Sequence, residues 1–171
     1  LQLRDKIFPL EFLIFFVLVV IATFSGGVID GIDGLAGGTL AAAFSAYAGI
    51  AYLQNQVDLA AFSAVIVGAL LAFLWFNIPP ARFYMGETGI MGLTTTLAVI
   101  VFLTGEVLLL PLIAFPLVAT TLSVIIQVIS KKLRRGEKIF LVAPIHHHIE
   151  AKGWPPYKVT MRYWVLSVIF A

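Results

Sequence analysis

The chain has 171 residues, of which 61% are hydrophobic and 12% are charged, and its formal net charge is +2. A soluble domain carries roughly 25% charged residues, so this composition excludes an ordinary soluble protein and indicates an integral membrane protein. Because the chain has no cysteine, disulfides and cysteine-ligated zinc or iron–sulfur sites are also excluded.

Apolar runs of about 20 residues, long enough to cross a bilayer as helices, follow one another along the chain. They predict an all-α, polytopic transmembrane helical bundle with about six spans. The spans cover residues 7–24, 35–53, 59–76, 89–104, 107–130 and a run that begins at residue 164. Small residues in the second span, Ala43 and Gly49 among them, predict close helix packing, and Pro111 and Pro116 predict bends in the fifth span.

A basic cluster after the fifth span indicates which side of the membrane that end faces. It consists of Lys131, Lys132, Arg134, Arg135 and Lys138. The positive-inside rule therefore predicts that this loop is cytoplasmic. Counting spans backwards places the loops at residues 25–34 and 77–88 on the same face, so three polar loops are expected to converge there. The connections at residues 54–58 and 105–106 are expected on the outer side.

The first of these loops sets Asp30 and Asp33 among glycines, between two apolar spans. An ionised Asp costs roughly 2.5–3.5 kcal/mol at the centre of a membrane helix, so such a residue needs a water-facing edge, a cavity or a cation. The spacing places both carboxylates on one face if they occupy a helical turn. Carboxylates beside accessible backbone N–H groups suit Mg2+ and phosphate. The alternative is a hinge whose aspartates cap the next helix.

The second loop contains two prolines together with Arg82, Tyr84 and Glu87. Arg82 offers a phosphate partner, Tyr84 a stacking surface and Glu87 a further carboxylate. Each residue also has an ordinary explanation when it is taken singly. Tyr84 suits an interfacial aromatic belt, Arg82 a membrane anchor and Glu87 the first turn of a helix.

The third loop carries three consecutive histidines, His146, His147 and His148, followed by Glu150. Adjacent side chains point in different directions, so a zinc site built from all three imidazoles is not expected. Two interpretations stay open. The imidazoles donate to diphosphate or sugar oxygens, or they have a structural role in which one histidine bonds to the backbone.

Taken in order, these motifs resemble the phospho-N-acetylmuramoyl-pentapeptide transferase family, also called translocase I, within the polyprenyl-phosphate N-acetylhexosamine-1-phosphate transferases. The matching patterns are D-G-x-D-G-L-A, F-N-x-P-P-A with M-G-x-T-G, and A-P-x-H-H-H-x-E with G-W. The triple-histidine segment is the most specific, because the wider superfamily generally lacks it. The chain departs from the family pattern at Gly27, where Asn is usual, and at Glu87, where Asp is usual.

The resemblance implies a multi-pass enzyme of the bacterial inner membrane with a cytoplasmic active site. Such an enzyme uses Mg2+ to move phospho-MurNAc-pentapeptide from UDP-MurNAc-pentapeptide onto undecaprenyl phosphate, which yields lipid I and UMP in peptidoglycan synthesis. By resemblance, Asp30 and Glu87 are the catalytic metal ligands. The expected substrate-binding residues are Asp33, Asn77, Tyr84, Gln127, His146, His147 and His148.

The resemblance also bears on domain organisation and partners. We expect a single transmembrane transferase domain over residues 1–171 that lacks the family's N-terminal half and its Asp-Asp motif, so this piece alone is expected to be inactive. Its expected partners are the lipid bilayer, that missing half and, as a further option, a second copy in a homodimer; no nucleic acid is expected. The alternatives are a polyprenyl-phosphate GlcNAc-1-phosphate transferase and a non-catalytic transporter or scaffold.

Overall fold

The computed structural model describes residues 4–134 and 136–171, with side chains from residue 12 onward. Arg135 of the basic cluster lies outside the described residues. Over the described part the regular elements are all helical, which confirms the predicted fold class. They are α1 (Arg4–Ile29), α2 (Leu35–Leu53), α3 (Val57–Asn77), α4 (Gly86–Thr104), a 3-10 turn (Val107–Leu109), α5 (Leu110–Ile113), α6 (Phe115–Leu133), α7 (Ile145–Ala151) and α8 (Pro156–Phe170).

Five of the described helices are long and apolar enough to cross a membrane: α1, α2, α3, α4 and α6. They confirm a polytopic membrane protein. The predicted sixth run lies within α8, which begins at Pro156 rather than at Trp164. Its 15 residues extend about 22 Å at 1.5 Å per residue, less than the roughly 30 Å of a bilayer core. The described residues therefore contain five candidate spans, and α8 occupies the position of the predicted sixth run.

The predicted fifth span is broken rather than continuous. A 3-10 turn and the four-residue α5 precede Ala114, whose φ of −97° and ψ of 32° interrupt the helix before α6 begins. Pro111 and Pro116 each lie in the first turn of the helix that follows. A proline has no N–H to donate to the preceding turn, so it starts a helix more readily than it continues one.

Helix α2 lies at the centre of the bundle and packs against α3, α4 and α8. More than half of its residues are buried, whereas few of the described side chains of α1 and α3 are, as in lipid-facing helices. Phe44 and Tyr47 are fully buried, and the buried Ala43 and Ala51 let neighbouring helices approach closely. Gly49 is exposed with open space around it, so the predicted small-residue face covers only part of the helix.

The loops gather at the two ends of the bundle as the spans predict. At one end the backbone N–H of Ala81, in the second loop, donates to Asp33 in the first loop at 3.0 Å. At the other end Gln54 Nε2 donates to the carbonyl of Thr104 at 3.1 Å, which joins the two short connections. The convergence of the three polar loops at one end is confirmed, and the cytoplasmic side of that end stays a prediction.

Candidate active site

Asp30 and Asp33 lie in a turn, residues 30–34, that connects α1 to α2. We call this segment the aspartate turn. It is not helical, so the helical arrangement of the two carboxylates is wrong. Gly34 begins α2 with a φ of 74°, in the left-handed region that favours glycine, and no side chain caps that helix. The alternative in which the aspartates cap α2 therefore fails as well.

Asn77 connects the aspartate turn to the second loop. Its Oδ1 accepts a hydrogen bond from the N–H of Gly34 at 3.0 Å, and its Nδ2 donates to the carbonyl of Phe83 at 2.9 Å. The residue is buried. Because both ends of the amide are engaged with backbone, Asn77 fixes the relative position of the two loops. Direct substrate binding by Asn77 stays a prediction.

Helix α8 contacts the same turn from the opposite side. Thr160 Oγ1 donates to the carbonyl of Asp33 at 3.0 Å, and Trp164 Nε1 donates to the carbonyl of Gly34 at 2.9 Å. The aspartate turn is thus held between α8 and the loop that follows α3.

A cavity of about 280 Å³ opens beside the aspartate turn. Tyr84 contributes an exposed ring, with 69% of its surface accessible. An exposed aromatic face next to carboxylates and glycines suits a nucleotide base beside its phosphates. The cavity is lined by Asp30, Gly31, Ile32, Asp33, Asn77, Tyr84 and Gly86.

Asp30 and Glu87, the predicted metal ligands, lie close enough for their charges to interact. Burial raises the pKa of Asp30, and the negative charge of Glu87 raises it further. Within the described residues no cluster of three or more His, Asp or Glu side chains could enclose a metal. Mg2+ is usually held by one or two carboxylates together with substrate phosphates and water. The two carboxylates are thus ligands of the class that Mg2+ takes, and their joint ligation of an ion stays a prediction.

His146 and His147 both turn towards the aspartate turn. A Cβ at Gly31 would lie 2.7 Å from His146 Nε2 and 2.8 Å from His147 Nε2, so only glycine leaves room for the two rings. His146 is fully buried, and neither of its ring nitrogens has a hydrogen-bond partner among the described residues. Burial, together with the neighbouring His147, lowers the pKa of His146 to about 4, which keeps it neutral at pH 7.

The other two histidines have different surroundings. His147 Nδ1 lies 2.5 Å from a carboxylate oxygen of Glu150, which leaves Nε2 for the aspartate turn. His148 points away, and its Nδ1 accepts a hydrogen bond from the N–H of Leu141 at 3.0 Å. The structural interpretation therefore holds for His148, and substrate binding by the three histidines stays a prediction, which the orientation of His148 supports least.

Gln127 lies apart, on α6. Its Oε1 accepts hydrogen bonds from the N–H groups of Ile139 and Phe140, and its Nε2 donates to the carbonyl of Phe140 at 2.9 Å. It also lines a second cavity, of about 320 Å³, with Lys131 and Lys138. Gln127 therefore holds the start of the third loop against α6, and its contact with substrate stays a prediction.

Sequence reasoning gave no role to three residues that the structure brings to the site. Glu150 is three residues from His147, and helical spacing was a usable signal for that contact. Thr160 and Trp164 gave no such signal, because their partners lie 127 and 130 residues away in the chain.

Comparison with known proteins agrees with the motifs. Residues 4–105 match the family model described as glycosyl transferase family 4. The chain is 44% identical over 161 residues to the phospho-N-acetylmuramoyl-pentapeptide-transferase of Anoxybacillus flavithermus, covering 91% of the chain and 49% of that protein. It is 44% identical over 155 residues to the enzyme of the same name from Halalkalibacterium halodurans, covering 91% of the chain and 47% of that protein. It is 42% identical over 161 residues to the enzyme of that name from Bacillus subtilis, covering 92% of the chain and 49% of that protein.

The chain therefore spans about half the length of the curated relatives it matches. The resemblance drawn from its motifs is confirmed. The family match covers more than half of the chain and includes Asp30, Asp33 and Glu87. With its all-helical membrane fold and its converging loops, the chain belongs to glycosyl transferase family 4.

Proposed function

We propose that this chain forms part of an enzyme that transfers phospho-MurNAc-pentapeptide from UDP-MurNAc-pentapeptide to undecaprenyl phosphate, giving lipid I and UMP. The reaction belongs to peptidoglycan synthesis in the bacterial inner membrane. One observation carries the proposal. The first two motif loops line one cavity that holds two carboxylates, and two imidazoles of the third loop lie against Gly31 in the lining of that cavity. The names of the relatives supply the substrate class.

The donor binds through its nucleotide and its diphosphate in this proposal. Tyr84 stacks on the uracil, and His147 Nε2 contacts a phosphate oxygen while Glu150 fixes the orientation of the imidazole. One carboxylate oxygen of Asp33 accepts a hydrogen bond from the Ala81 N–H, which leaves the other oxygen for the nucleotide-sugar donor. Asp30 and Glu87 would hold Mg2+, which would supply neutralisation of the charge on the phosphates and on the departing UMP.

The chemical step is an in-line phosphoryl transfer. An oxygen of undecaprenyl phosphate attacks the phosphorus that carries the sugar, and the bond from that phosphorus to the bridging oxygen breaks. The electron pair of that bond leaves with UMP. Positioning and charge stabilisation supply most of the catalysis in such reactions. The residues of this chain orient the donor and set the charge around its phosphates.

Two further parts of the proposal concern the protein around the site. Because the chain spans about half the length of its relatives, we propose that catalysis also needs the half of those proteins that this chain does not match. The described residues of the basic cluster, which are Lys131, Lys132, Arg134 and Lys138, lie in the last turn of α6 or follow it at the cavity end, so we propose that this end is cytoplasmic, where a UDP-linked donor is found.

The test is isotope exchange of labelled UMP into the nucleotide-sugar donor, using the protein as the cell makes it in nanodiscs that contain undecaprenyl phosphate. We expect label in UDP-MurNAc-pentapeptide and a requirement for Mg2+. Label only in UDP-GlcNAc, supplied in a parallel reaction, would show the related GlcNAc-1-phosphate transferase instead. Absence of exchange with either donor would favour the transporter or scaffold.

A further inference from the structure

We infer that Thr160 and Trp164 of α8 are positioning residues that fix the backbone of the aspartate turn and thereby set where Asp30 and Asp33 face the cavity. The inference rests on the proposed function for its catalytic part only. Its structural part concerns the turn itself and can be tested without turnover.

Two consecutive backbone carbonyls of the turn are bonded from one helix. Thr160 is fully buried and donates to the carbonyl of Asp33, while Trp164 donates through its indole N–H to the carbonyl of Gly34. The two donors are four residues apart on α8 and therefore lie on the same face of that helix. A single helix face thus serves two adjacent acceptors.

The turn has few hydrogen bonds of its own. Its backbone bonds run from the Gly31 N–H to the Ile29 carbonyl and from the Leu35 N–H to the Ile32 carbonyl, each at 3.0 Å, and the Gly34 carbonyl also accepts from the N–H of Gly38 at 3.2 Å. The loop after α3 adds the bonds from Asn77 to the Gly34 N–H and from the Ala81 N–H to the Asp33 carboxylate. That loop thus bonds to the Gly34 N–H and to the Asp33 carboxylate, whereas α8 bonds to the backbone carbonyls of the same two residues. Loss of either side frees the turn to move towards the cavity or away from it.

Gly38 makes the α8 contact possible. A Cβ at Gly38 would lie 2.0 Å from Trp164 Nε1, so any other residue would occupy the space of the indole. Gly38 is one turn beyond Gly34 on α2, and its absent side chain lets the indole reach the Gly34 carbonyl. The glycine therefore serves a close approach between helices.

The test uses three variants of buried hydroxyls on α8. Thr160→Val removes the donor and keeps the shape of the side chain, whereas Thr160→Ser keeps the donor. Ser167→Ala is the matched control, because Ser167 is equally buried and donates to Tyr163 within α8, away from the turn. Trp164→Phe removes the second donor and serves as an independent variant if Thr160→Val does not fold.

The first readout is amide hydrogen exchange over residues 30–37 in nanodiscs. We expect Thr160→Val to speed exchange about 5-fold, the factor that loss of one ordinary hydrogen bond corresponds to. Thr160→Ser and Ser167→Ala should stay within about 2-fold of the unmodified protein on the same scale. Unchanged exchange in both Thr160→Val and Trp164→Phe would overturn the inference, whether or not the protein is a transferase.

The second readout is the kinetics of the transfer. We expect Thr160→Val to lower kcat about 10-fold with little change in KM, since a displaced turn impairs orientation more than binding, and Thr160→Ser to restore it. Equal losses in Thr160→Val and Ser167→Ala would mean that α8 only holds the bundle together. If the unmodified protein has no transfer activity, the proposed function fails. The amide hydrogen-exchange experiment still decides the structural part.

Discussion

Asp30 is subject to two opposing requirements. Its burial and the nearby charge of Glu87 both raise its pKa, and so disfavour the carboxylate in the metal-free protein. A bound cation would favour the same carboxylate. The pairing of two acids therefore costs stability until the proposed ligands are present, as is common where function sets the arrangement of charges.

Replacement of Asp30 separates these two effects. Asp30→Asn should leave the melting temperature without Mg2+ unchanged or higher, because it removes the repulsion, and should lower the transfer rate about 100-fold or more. Differential scanning fluorimetry measures the melting temperature, and the exchange of labelled UMP into the donor measures the transfer rate. Asp58→Asn is the control. Asp58 is an exposed acid in the first turn of α3, at the end of that helix away from Asn77 and the aspartate turn. Near-normal turnover at saturating Mg2+ would remove Asp30 from the metal site.

The three histidines allow a comparison within a single segment. His147→Ala should lower kcat/KM about 10- to 100-fold, because a hydrogen bond to a charged phosphate contributes roughly 1.5–3 kcal/mol. His148→Ala should leave kcat/KM nearly unchanged and lower thermal stability, since His148 accepts from the Leu141 N–H. Steady-state kinetics and melting curves on the two variants test this. Equal kinetic losses in both would contradict the distinction drawn from their orientations.

Between helices, the packing of α8 on α2 depends on a missing side chain. Gly38→Ala should destabilise the protein by roughly 1–3 kcal/mol, the usual cost of overpacking, because the new methyl group would overlap the Trp164 indole. Gly49→Ala on the same helix should be neutral or mildly stabilising, because open space surrounds Gly49. Thermal unfolding of both variants in one detergent measures the difference. Full stability of Gly38→Ala would show that the indole does not lie there.

The elements could be predicted from the sequence because span length and proline chemistry act locally. Apolar runs located the five spans, and Pro111 and Pro116 located the break before α6. The convergence of the loops also followed from counting spans. The contact of Asp33 with Thr160 could not be predicted, since no local pattern links residues 127 positions apart. The expectation that Asp30 and Asp33 share a helical turn was wrong. Gly34 has a positive φ and precedes the first residue of α2, so both aspartates lie outside that helix.

Across the whole molecule, a buried neutral histidine makes stability depend on pH. His146 has a pKa of about 4 in the folded protein, against about 6.5 when unfolded. Between these values the unfolded chain binds a proton that the native protein does not bind. Stability is therefore full above about pH 6.5 and is lost as the pH falls towards 4.

We expect this loss to reach at most ~3 kcal/mol from His146. His146→Leu should flatten the dependence of the unfolding free energy on pH between about 6.5 and 4. His148→Ala should keep that dependence, since it leaves the buried His146 in place. Chemical denaturation at several pH values gives the slopes. The same slope in His146→Leu as in the unmodified protein would assign the effect to other groups.

The contact between α8 and the aspartate turn also orders events during synthesis. The turn is made before α8, because Thr160 follows Asp33 by 127 residues. At about 5–20 residues per second, the ribosome needs roughly 6–25 s to add them. Throughout that interval two carbonyls of the turn lack the side-chain donors that α8 supplies. A nascent chain thus carries its aspartate motif well before the turn is fully held, and the arrival of α8 completes that contact.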